Sequence, residues 1–162
     1  MRILGIDPGL QICGYACLEV DTAEEKLIEA GVLRTNSSAA IGAKLTQIAE
    51  DTESLLKRLK PQVVSIEELY SHYAHPKTAI LMGHARGVIL QRCAEAAIEI
   101  KSFSATRIKK SITGNGRASK QQMQRAIQSL LSLPKLPEPS DVADAIAVSL
   151  CCANSIMRNI VV

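Results

Sequence analysis

Two carboxylates in this sequence lie at the ends of short apolar runs that have the composition of β-strands. Asp7 follows residues 3–6 and precedes a Pro-Gly turn, and Glu67 follows residues 63–66. An unpaired buried charge is costly, so each carboxylate needs either a cation or the N–H groups of a turn. Taken alone, an Asp before Pro-Gly is also an ordinary turn residue. A functional site is therefore indicated only if further carboxylates converge on Asp7.

A second pair of carboxylates, Asp141 and Asp144, is spaced three residues apart at the start of a predicted helix. That spacing places both side chains on one helical face, with roughly 5–6 Å between their Cβ atoms. Asp141 is also consistent with a helix N-cap. Asp144 is embedded in the otherwise apolar residues 142–148, so its side chain must face either solvent or a site.

Four carboxylates brought together in this way would form a metal site with oxygen ligands only. Such ligands suit Mg²⁺ or Mn²⁺ rather than zinc. Two such ions, roughly 3.5–4 Å apart, can activate a water molecule and stabilise the leaving oxygen of a phosphodiester. Glu68 competes with Glu67 for a place in the site. Strand alternation sends the two side chains to opposite faces of the sheet, so only one of them can join Asp7.

Basic residues are concentrated in one segment of the chain. Residues 101–125 contain seven Lys and Arg side chains and no acid, whereas the net charge of the whole chain is only +3. The remaining residues carry 12 basic and 16 acidic side chains. A basic segment on an otherwise acidic protein predicts a polyanionic partner, whose phosphates these cations would grip. Together with the acidic cluster, this pattern indicates a metal-dependent nuclease.

The composition limits the other functional classes. With 162 residues, we expect a single domain over residues 1–157 and a short tail at 158–162. The five cysteines form no C-x-x-C pair and lie mostly in apolar runs, which predicts core thiols in a reducing compartment. The N-terminus lacks an uninterrupted signal-peptide run, and the apolar stretch after Asp144 is predicted to be too short and too polar to span a bilayer. We therefore expect a soluble cytoplasmic protein with no membrane partner.

The elements that would position the carboxylates follow from apolar periodicity and turn residues. Strands at 3–7, 12–20 and 27–33 are predicted to form an antiparallel meander, with Gly14 as a bulge or a point of close approach. Ser37 or Ser38 is predicted to cap the first helix. Helix–strand alternation then favours an α/β fold, a five-stranded mixed sheet with helices on both faces. The later elements are predicted as helix 41–59, strand 63–67, helix 76–97, strand 98–103 and helices 105–111, 119–131 and 141–157.

The predicted helix at 76–97 is apolar on more than one face. It also carries Gly83 and Gly87 one turn apart, which permits close approach of another backbone. A helix of this kind is either deeply buried or shared with a second subunit. We expect partial burial together with a homodimer contact.

Five motifs, in this order and at these spacings, resemble the RuvC-type Holliday junction resolvases of the ribonuclease H-like superfamily. The resemblance covers nearly the whole chain, although each motif alone has little specificity. The motifs are Gly-Ile-Asp-Pro-Gly at 5–9, Ile-Glu-Glu at 66–68, Gly-His-Ala-Arg-Gly at 83–87, Gly-Asn-Gly-Arg-Ala-Ser-Lys at 114–120 and Asp-Val-Ala-Asp-Ala at 141–145.

This resemblance implies a homodimeric endonuclease that cuts two symmetric strands of a four-way DNA junction and works with a branch-migration helicase complex. It implies a ribonuclease H-like sheet with Asp7 near its centre. It also implies two Mg²⁺ ions per active site, with Mn²⁺ as the alternative. The metal ligands it implies are Asp7, Glu67, Asp141 and Asp144.

The resemblance also implies residues that contact DNA. Lys120 is similar to the family lysine near the scissile phosphate, and Lys109 matches a basic residue that contacts DNA near the site. Tyr70 occupies the place of an aromatic residue, usually Phe, that wedges against bases at the crossover, and either ring can stack on a base. Residues 71–76 depart from the family pattern. The full set of predicted DNA contacts is Tyr70, Arg107, Lys109, Lys110, Arg117 and Lys120.

Three other functions are consistent with parts of the pattern. A ribonuclease H-like nuclease that processes ribosomal RNA precursors shares the Asp-x-Gly opening, but would not be expected to carry the Gly-x-Ala-Arg-Gly helix. A non-catalytic junction-binding module would have no need of all four acidic positions. A sugar-kinase or actin-type ATPase opens with a similar strand, but this chain is too short for its two lobes and lacks a second phosphate loop.

Overall fold

Five strands and five helices make up the part of the chain that this computed structural model describes, residues 1–21, 24–69 and 76–160. They follow the predicted order closely, because most boundaries coincide with proline, glycine or a change of apolar period. The elements are β1 (Arg2–Asp7), β2 (Ile12–Val20), β3 (Glu25–Arg34), α1 (Ile41–Leu59), β4 (Val63–Glu67), α2 (Pro76–Glu95), β5 (Glu99–Phe103), α3 (Ala105–Thr113), α4 (Lys120–Leu130) and α5 (Ser140–Ile160).

The strands form one mixed sheet in the order β3-β2-β1-β4-β5. β1, β2 and β3 pair antiparallel as a meander, whereas β4 pairs parallel to β1 and β5 parallel to β4. This topology confirms the predicted five-stranded mixed sheet. It also places β1 in the centre, so that both of its edges are hydrogen-bonded.

Alternate residues of the central strands pack into two separate cores, one on each face of the sheet. Ile3 and Val63 contribute to the core formed with α3, α4 and α5. Leu4 and Val64 contribute to the core formed with α1 and α2. The predicted helices on both faces are therefore confirmed, and strand alternation decides which core each side chain enters.

Some local details differ from the sequence predictions. α1 has Ala40 at its N-cap position without a side-chain hydrogen bond, so the prediction that Ser37 or Ser38 caps it is wrong. Both the N–H and the hydroxyl of Ser38 donate instead to Asn36 Oδ1, at 3.0 and 2.8 Å, so a local turn takes the place of the cap. α5 begins at Ser140 and continues to Ile160 rather than ending near residue 157.

α5 also corrects the expectation about the apolar stretch after Asp144. Among the described residues, Ser140–Met157 is long and apolar enough to cross a membrane by length and composition alone. Most of this window is buried inside the domain, where α5 packs across the sheet. Its apolar character is therefore that of a core helix. The five cysteines are likewise buried, in agreement with the prediction of core thiols.

Candidate active site

Asp7 and Glu67 lie side by side at one edge of the sheet. Ile6 pairs with Ile66 in the parallel register of β1 and β4, so the next residue of each strand is a carboxylate. Side chains alternate between the faces of the sheet, so Asp7 lies on the same face as Ile3, and Glu67 on the same face as Val63. Both faces are the one that packs against α5. Neither side chain is fully buried. The carboxyl ends of two neighbouring parallel strands therefore bring the two acids together.

Glu68 lies outside this arrangement. It is exposed, and its backbone N–H donates to the carbonyl oxygen of Phe103 at 2.9 Å. The choice between Glu67 and Glu68, which the sequence left open, is made by the strand register. Glu67 is the acid that shares a face with Asp7.

Two glycines allow the start of α5 to lie directly against the sheet. An ideal Cβ at Gly14 would lie 2.0 Å from the carbonyl oxygen of Asp141, and one at Gly5 would lie 2.2 Å from that of Ala145. Any side chain at either position would therefore displace the helix. Gly14 also pairs with Asp7 in the register of β1 and β2, so the contact brings Asp141 beside Asp7. Gly14 is the point of close approach that the sequence predicted, and the sheet irregularity lies elsewhere, at Cys17 and Leu18.

The four predicted metal ligands influence one another electrostatically. Burial, and then the charges of Asp144, Glu67 and Asp141, raise the pKa of Asp7 to about 7 against the lowering effect of Lys120. Burial and the charge of Asp144 also raise the pKa of Glu67. Burial, and then Asp141, raise the pKa of Asp144 against the lowering effect of Lys120. The fold has therefore gathered more negative charge than its own cations neutralise.

Two lysines border the same acidic cluster. Lys109 and Lys120 line a cavity of about 190 Å³ together with Glu67 and Asp144, and both lysines lower the pKa of those two carboxylates. Lys120 is the first residue of α4, whose start is held by a capping box between Ser119 and Gln122. The cap fixes the direction in which Lys120 leaves the helix. A phosphate in the cavity would lie among two lysines and two carboxylates.

The donor set fits a hard divalent cation. The four carboxylates offer only oxygen ligands, and burial together with neighbouring carboxylates raises the pKa values of Asp7, Glu67 and Asp144. In the part of the chain that the structure describes, no three carboxylate, imidazole or thiol groups already lie close enough to hold one ion. Mutual repulsion opposes closer approach of four like charges, and a bound cation would remove that opposition.

The other predicted DNA-binding residues do not lie together in the structure. Arg107 and Lys110 lie on α3 but point away from the acidic cluster, into a second pocket that α3 shares with α5. Arg117 is exposed in the loop before α4, where its backbone N–H donates to Asn115 Oδ1 at 2.9 Å. Tyr70 lies outside the described residues.

Arg86 is a residue at the site to which the sequence assigned no role. Its Nε donates to the backbone carbonyl oxygen of Glu67 at 3.3 Å, and its Nη2 donates to Ser102 Oγ at 3.0 Å. One guanidinium therefore joins α2 to the ends of β4 and β5 beside the acidic cluster. The available signal was a lone arginine inside the Gly-His-Ala-Arg-Gly motif of a largely apolar helix.

Comparison with known proteins places this arrangement in a family. The family model described as "Crossover junction endodeoxyribonuclease RuvC" matches residues 3–152. The RuvC protein of Rhodopirellula baltica is 45% identical over 92% of this chain and 84% of its own length, and that of Heliobacterium modesticaldum is 40% identical over 96% of both chains.

The solved structures agree with the sequence relatives. The fold of this chain is similar to that of Thermus thermophilus RuvC in complex with a Holliday junction substrate, with a TM-score of 0.92, 27% identity and coverage of 98% of this chain and 96% of the other. The mixed sheet is accordingly the ribonuclease H-like fold that the sequence resemblance implied. This chain belongs to the RuvC family of crossover junction endodeoxyribonucleases.

Proposed function

We propose that this protein resolves four-way (Holliday) DNA junctions in recombination and repair, by cutting two symmetric strands in a metal-dependent phosphodiester hydrolysis. The observation that supports the proposal most strongly is the convergence of four carboxylates beside two lysines at one edge of the sheet. Phosphodiester hydrolysis of this kind needs carboxylates that hold metal ions and positive charge beside the phosphate, and this cluster supplies both.

Asp7, Glu67, Asp141 and Asp144 would hold the metal, with two Mg²⁺ ions per site and Mn²⁺ as the alternative. When bound, the ions supply an activated water and stabilise the leaving oxygen. Lys120 and Lys109 hold the phosphate over the cluster and offset negative charge as it develops. Asp7 is central because it is partly buried on the middle strand with a pKa raised to about 7, and a bound cation would favour its charged form.

Paired cutting requires two active sites, and we propose a homodimer that forms through α2. On this helix Ile80 is 62% exposed, the highest value among the exposed large apolar side chains of the described residues. Gly87 has open space where a Cβ would lie, and a Cβ at Gly83 would meet only Leu69 at 3.7 Å. An exposed isoleucine beside two glycines suits close contact with the same helix of a second copy.

The remaining predicted contacts belong to the same proposal. Tyr70 would stack against bases at the crossover, while Arg107, Lys110 and Arg117 would contact DNA phosphates outside the catalytic cavity. A branch-migration helicase complex is the proposed protein partner. The cytoplasm is the proposed compartment.

The test uses a synthetic four-way junction with and without Mg²⁺, beside a linear duplex and a structured RNA. Asp144→Asn and Asp7→Asn are expected to lose junction cutting by roughly a hundredfold or more, yet retain binding in metal-free buffer. Asp51→Asn on α1, on the opposite face of the sheet, is the matched control and should cut normally. Cutting by either active-site variant at the wild-type rate would refute the assignment. Cutting of RNA alone would support the alternative nuclease function, and wild-type binding without cutting would support a binding module.

A further inference from the structure

A second pocket lies on the side of α3 that faces away from the acidic cluster. It has a volume of about 480 Å³ and lies between α3 and the later turns of α5. It shares no lining residue with the catalytic cavity, because Ile108 and Lys109 face one side of α3 whereas Arg107 and Lys110 face the other. The residues that line this α3–α5 pocket are Arg107, Lys110, Ser111, Gly114, Cys151, Asn154 and Ser155.

The guanidinium of Arg107 is held in position at the pocket wall. Its Nη2 donates to Ser155 Oγ at 3.0 Å. Its central carbon lies 4.9 Å from the centroid of the Phe103 ring, a distance at which a cation is attracted to an aromatic face. Arginine has five N–H donors, so most remain available after the contact with Ser155. A guanidinium oriented before a ligand arrives loses less conformational freedom on binding.

The charge in the pocket is positive and is not balanced by acids. No Asp or Glu is among the lining residues, and within the described ranges neither Arg107 nor Lys110 has a carboxylate at ion-pair distance. Residues 101–125, which contain both, include no acid. Two unpaired cations beside one concave surface favour an anionic ligand.

The polar neutral groups of the pocket are also able to donate. Asn154 Nδ2 donates to Ser111 Oγ at 3.2 Å, which leaves the Ser111 hydroxyl hydrogen free to donate outward. The Ser155 oxygen accepts from Arg107, so its hydroxyl hydrogen is free in the same way. Gly114 has open space where a Cβ would lie, so no side chain obstructs the rim. The pocket therefore presents cations and hydroxyl donors, the groups that contact phosphate oxygens.

We propose that the α3–α5 pocket binds a phosphate of the DNA backbone a few nucleotides away from the phosphate that is cut. This inference rests on the proposed function for the identity of the polyanion. Asn154 lies roughly 15 Å beyond Asp144 along α5, from the rise of about 1.5 Å per helical residue. DNA that enters the catalytic cavity and continues past α3 would meet the pocket after a short stretch of backbone. Lys109 and Lys120 contact DNA at the cut, and Arg107 and Lys110 fix the direction in which it leaves.

The experiment measures binding of a labelled four-way junction and of a labelled linear duplex over a series of salt concentrations in metal-free buffer. Arg107→Gln and Lys110→Gln should each weaken binding several-fold and lower the slope of log affinity against log salt by about 0.9. The double variant should lower it by about twice as much. Lys110→Arg keeps the charge and should retain the wild-type slope. Melting temperatures of all variants check that the fold is intact.

Lys57→Gln is the matched control, because Lys57 is an exposed cation on α1 at the other face of the sheet. Its slope should equal that of the wild type. Unchanged slopes for folded Arg107→Gln and Lys110→Gln would overturn the proposal, and so would an equal decrease in the Lys57 variant, which would reflect net charge alone. If the wild type binds DNA but cuts no junction, the proposed function fails while the slopes still decide the pocket.

Discussion

At the scale of the single residue, Asp7 lies in surroundings that oppose its charge. Burial and three neighbouring carboxylates raise its pKa from 3.8 to about 7. In the folded protein without metal, Asp7 therefore keeps a proton over a pH range in which the unfolded chain has released it. The same arrangement that prepares the site for a cation makes the metal-free fold sensitive to pH.

We predict that the metal-free protein loses stability as the pH rises from about 4 to about 7. In this range the folded state binds more protons than the unfolded state, so the free energy of unfolding falls with pH and levels off above the folded pKa. Glu67 and Asp144, whose pKa values are also raised, act in the same direction. Urea unfolding in a chelator at pH 5 and pH 8 measures the difference, and Mg²⁺ should restore stability at pH 8.

Asp7→Asn tests the origin of that dependence. The amide cannot ionise, so the variant should lose a large part of the stability difference between pH 5 and pH 8. Asp51→Asn on α1 should keep the wild-type difference. An unchanged pH dependence in the Asp7 variant would show that Asp7 is not the group responsible.

At the scale of the elements, the site depends on how closely α5 approaches β1 and β2. Gly14 and Gly5 permit carbonyl oxygens of the helix to lie where a Cβ would otherwise be. α2 contributes from the opposite face, because Arg86 joins it to the ends of β4 and β5. The carboxylates are thus held by packing between elements, as well as by the positions of the residues within each element.

Gly14→Ala is predicted to push the first turn of α5 away from the sheet. The new methyl group would overlap the carbonyl oxygen of Asp141, and overpacking of this kind costs about 1–3 kcal/mol or more. Divalent metal affinity should fall with stability, because Asp141 and Asp144 move together with the helix. Gly42→Ala is the matched control in α1, where a Cβ meets nothing within 4 Å, and it should be neutral or stabilising by up to about 1 kcal/mol. Equal behaviour of the two variants would contradict this packing argument.

Arg86→Ala is predicted to loosen the end of β4 that carries Glu67. We expect metal affinity to fall about tenfold, the range seen when groups that orient a metal ligand are removed. Metal-free junction binding should be retained, and Arg86→Lys should recover little, because one ammonium cannot span Glu67 and Ser102 as the guanidinium does. Titration with Mn²⁺ followed by its spectroscopic signal provides the measurement. Wild-type Mn²⁺ affinity in a folded Ala variant would remove Arg86 from the site.

At the scale of the whole molecule, charge and apolar surface are separated. Lys109 and Lys120 border the catalytic cavity, and Arg107 and Lys110 border the α3–α5 pocket. The exposed side of α2 carries Ile80, and Gly83 and Gly87 leave space beside it. The surfaces that we propose for a polyanion and for a second copy of the chain are therefore separate.

Ile80→Glu is predicted to convert a dimer into a monomer, because a charge would replace an apolar side chain at the proposed contact. Sedimentation velocity should report half the mass. On a junction, paired cuts should give way to single nicks. Leu130→Glu is the control, since Leu130 is also exposed, at 55%, but lies at the end of α4. A dimer that persists in the Ile80 variant would place the subunit contact elsewhere.

Much of the fold follows from local features of the sequence. Apolar alternation, helical periodicity and breaks at proline or glycine predict the strands and helices to within a few residues, because these preferences act over short stretches. Asp7 and Glu67 were predictable at strand ends for the same reason. The absence of a serine cap on α1 was not predictable, because Ser38 donates to Asn36 Oδ1 in a local turn instead.

The kinds of element, the four carboxylates and the concentration of basic charge in one segment were predictable from the amino-acid pattern. Packing of the folded chain was needed to show that Glu67 rather than Glu68 faces Asp7, that Gly14 admits the start of α5, and that neighbouring cations on α3 line different pockets. The hydrogen bond from Arg86 to the carbonyl oxygen of Glu67 also depends on this packing. The physical reason is that conformational preference is set by adjacent residues, whereas the meeting of residues 7 and 144 depends on how whole faces pack.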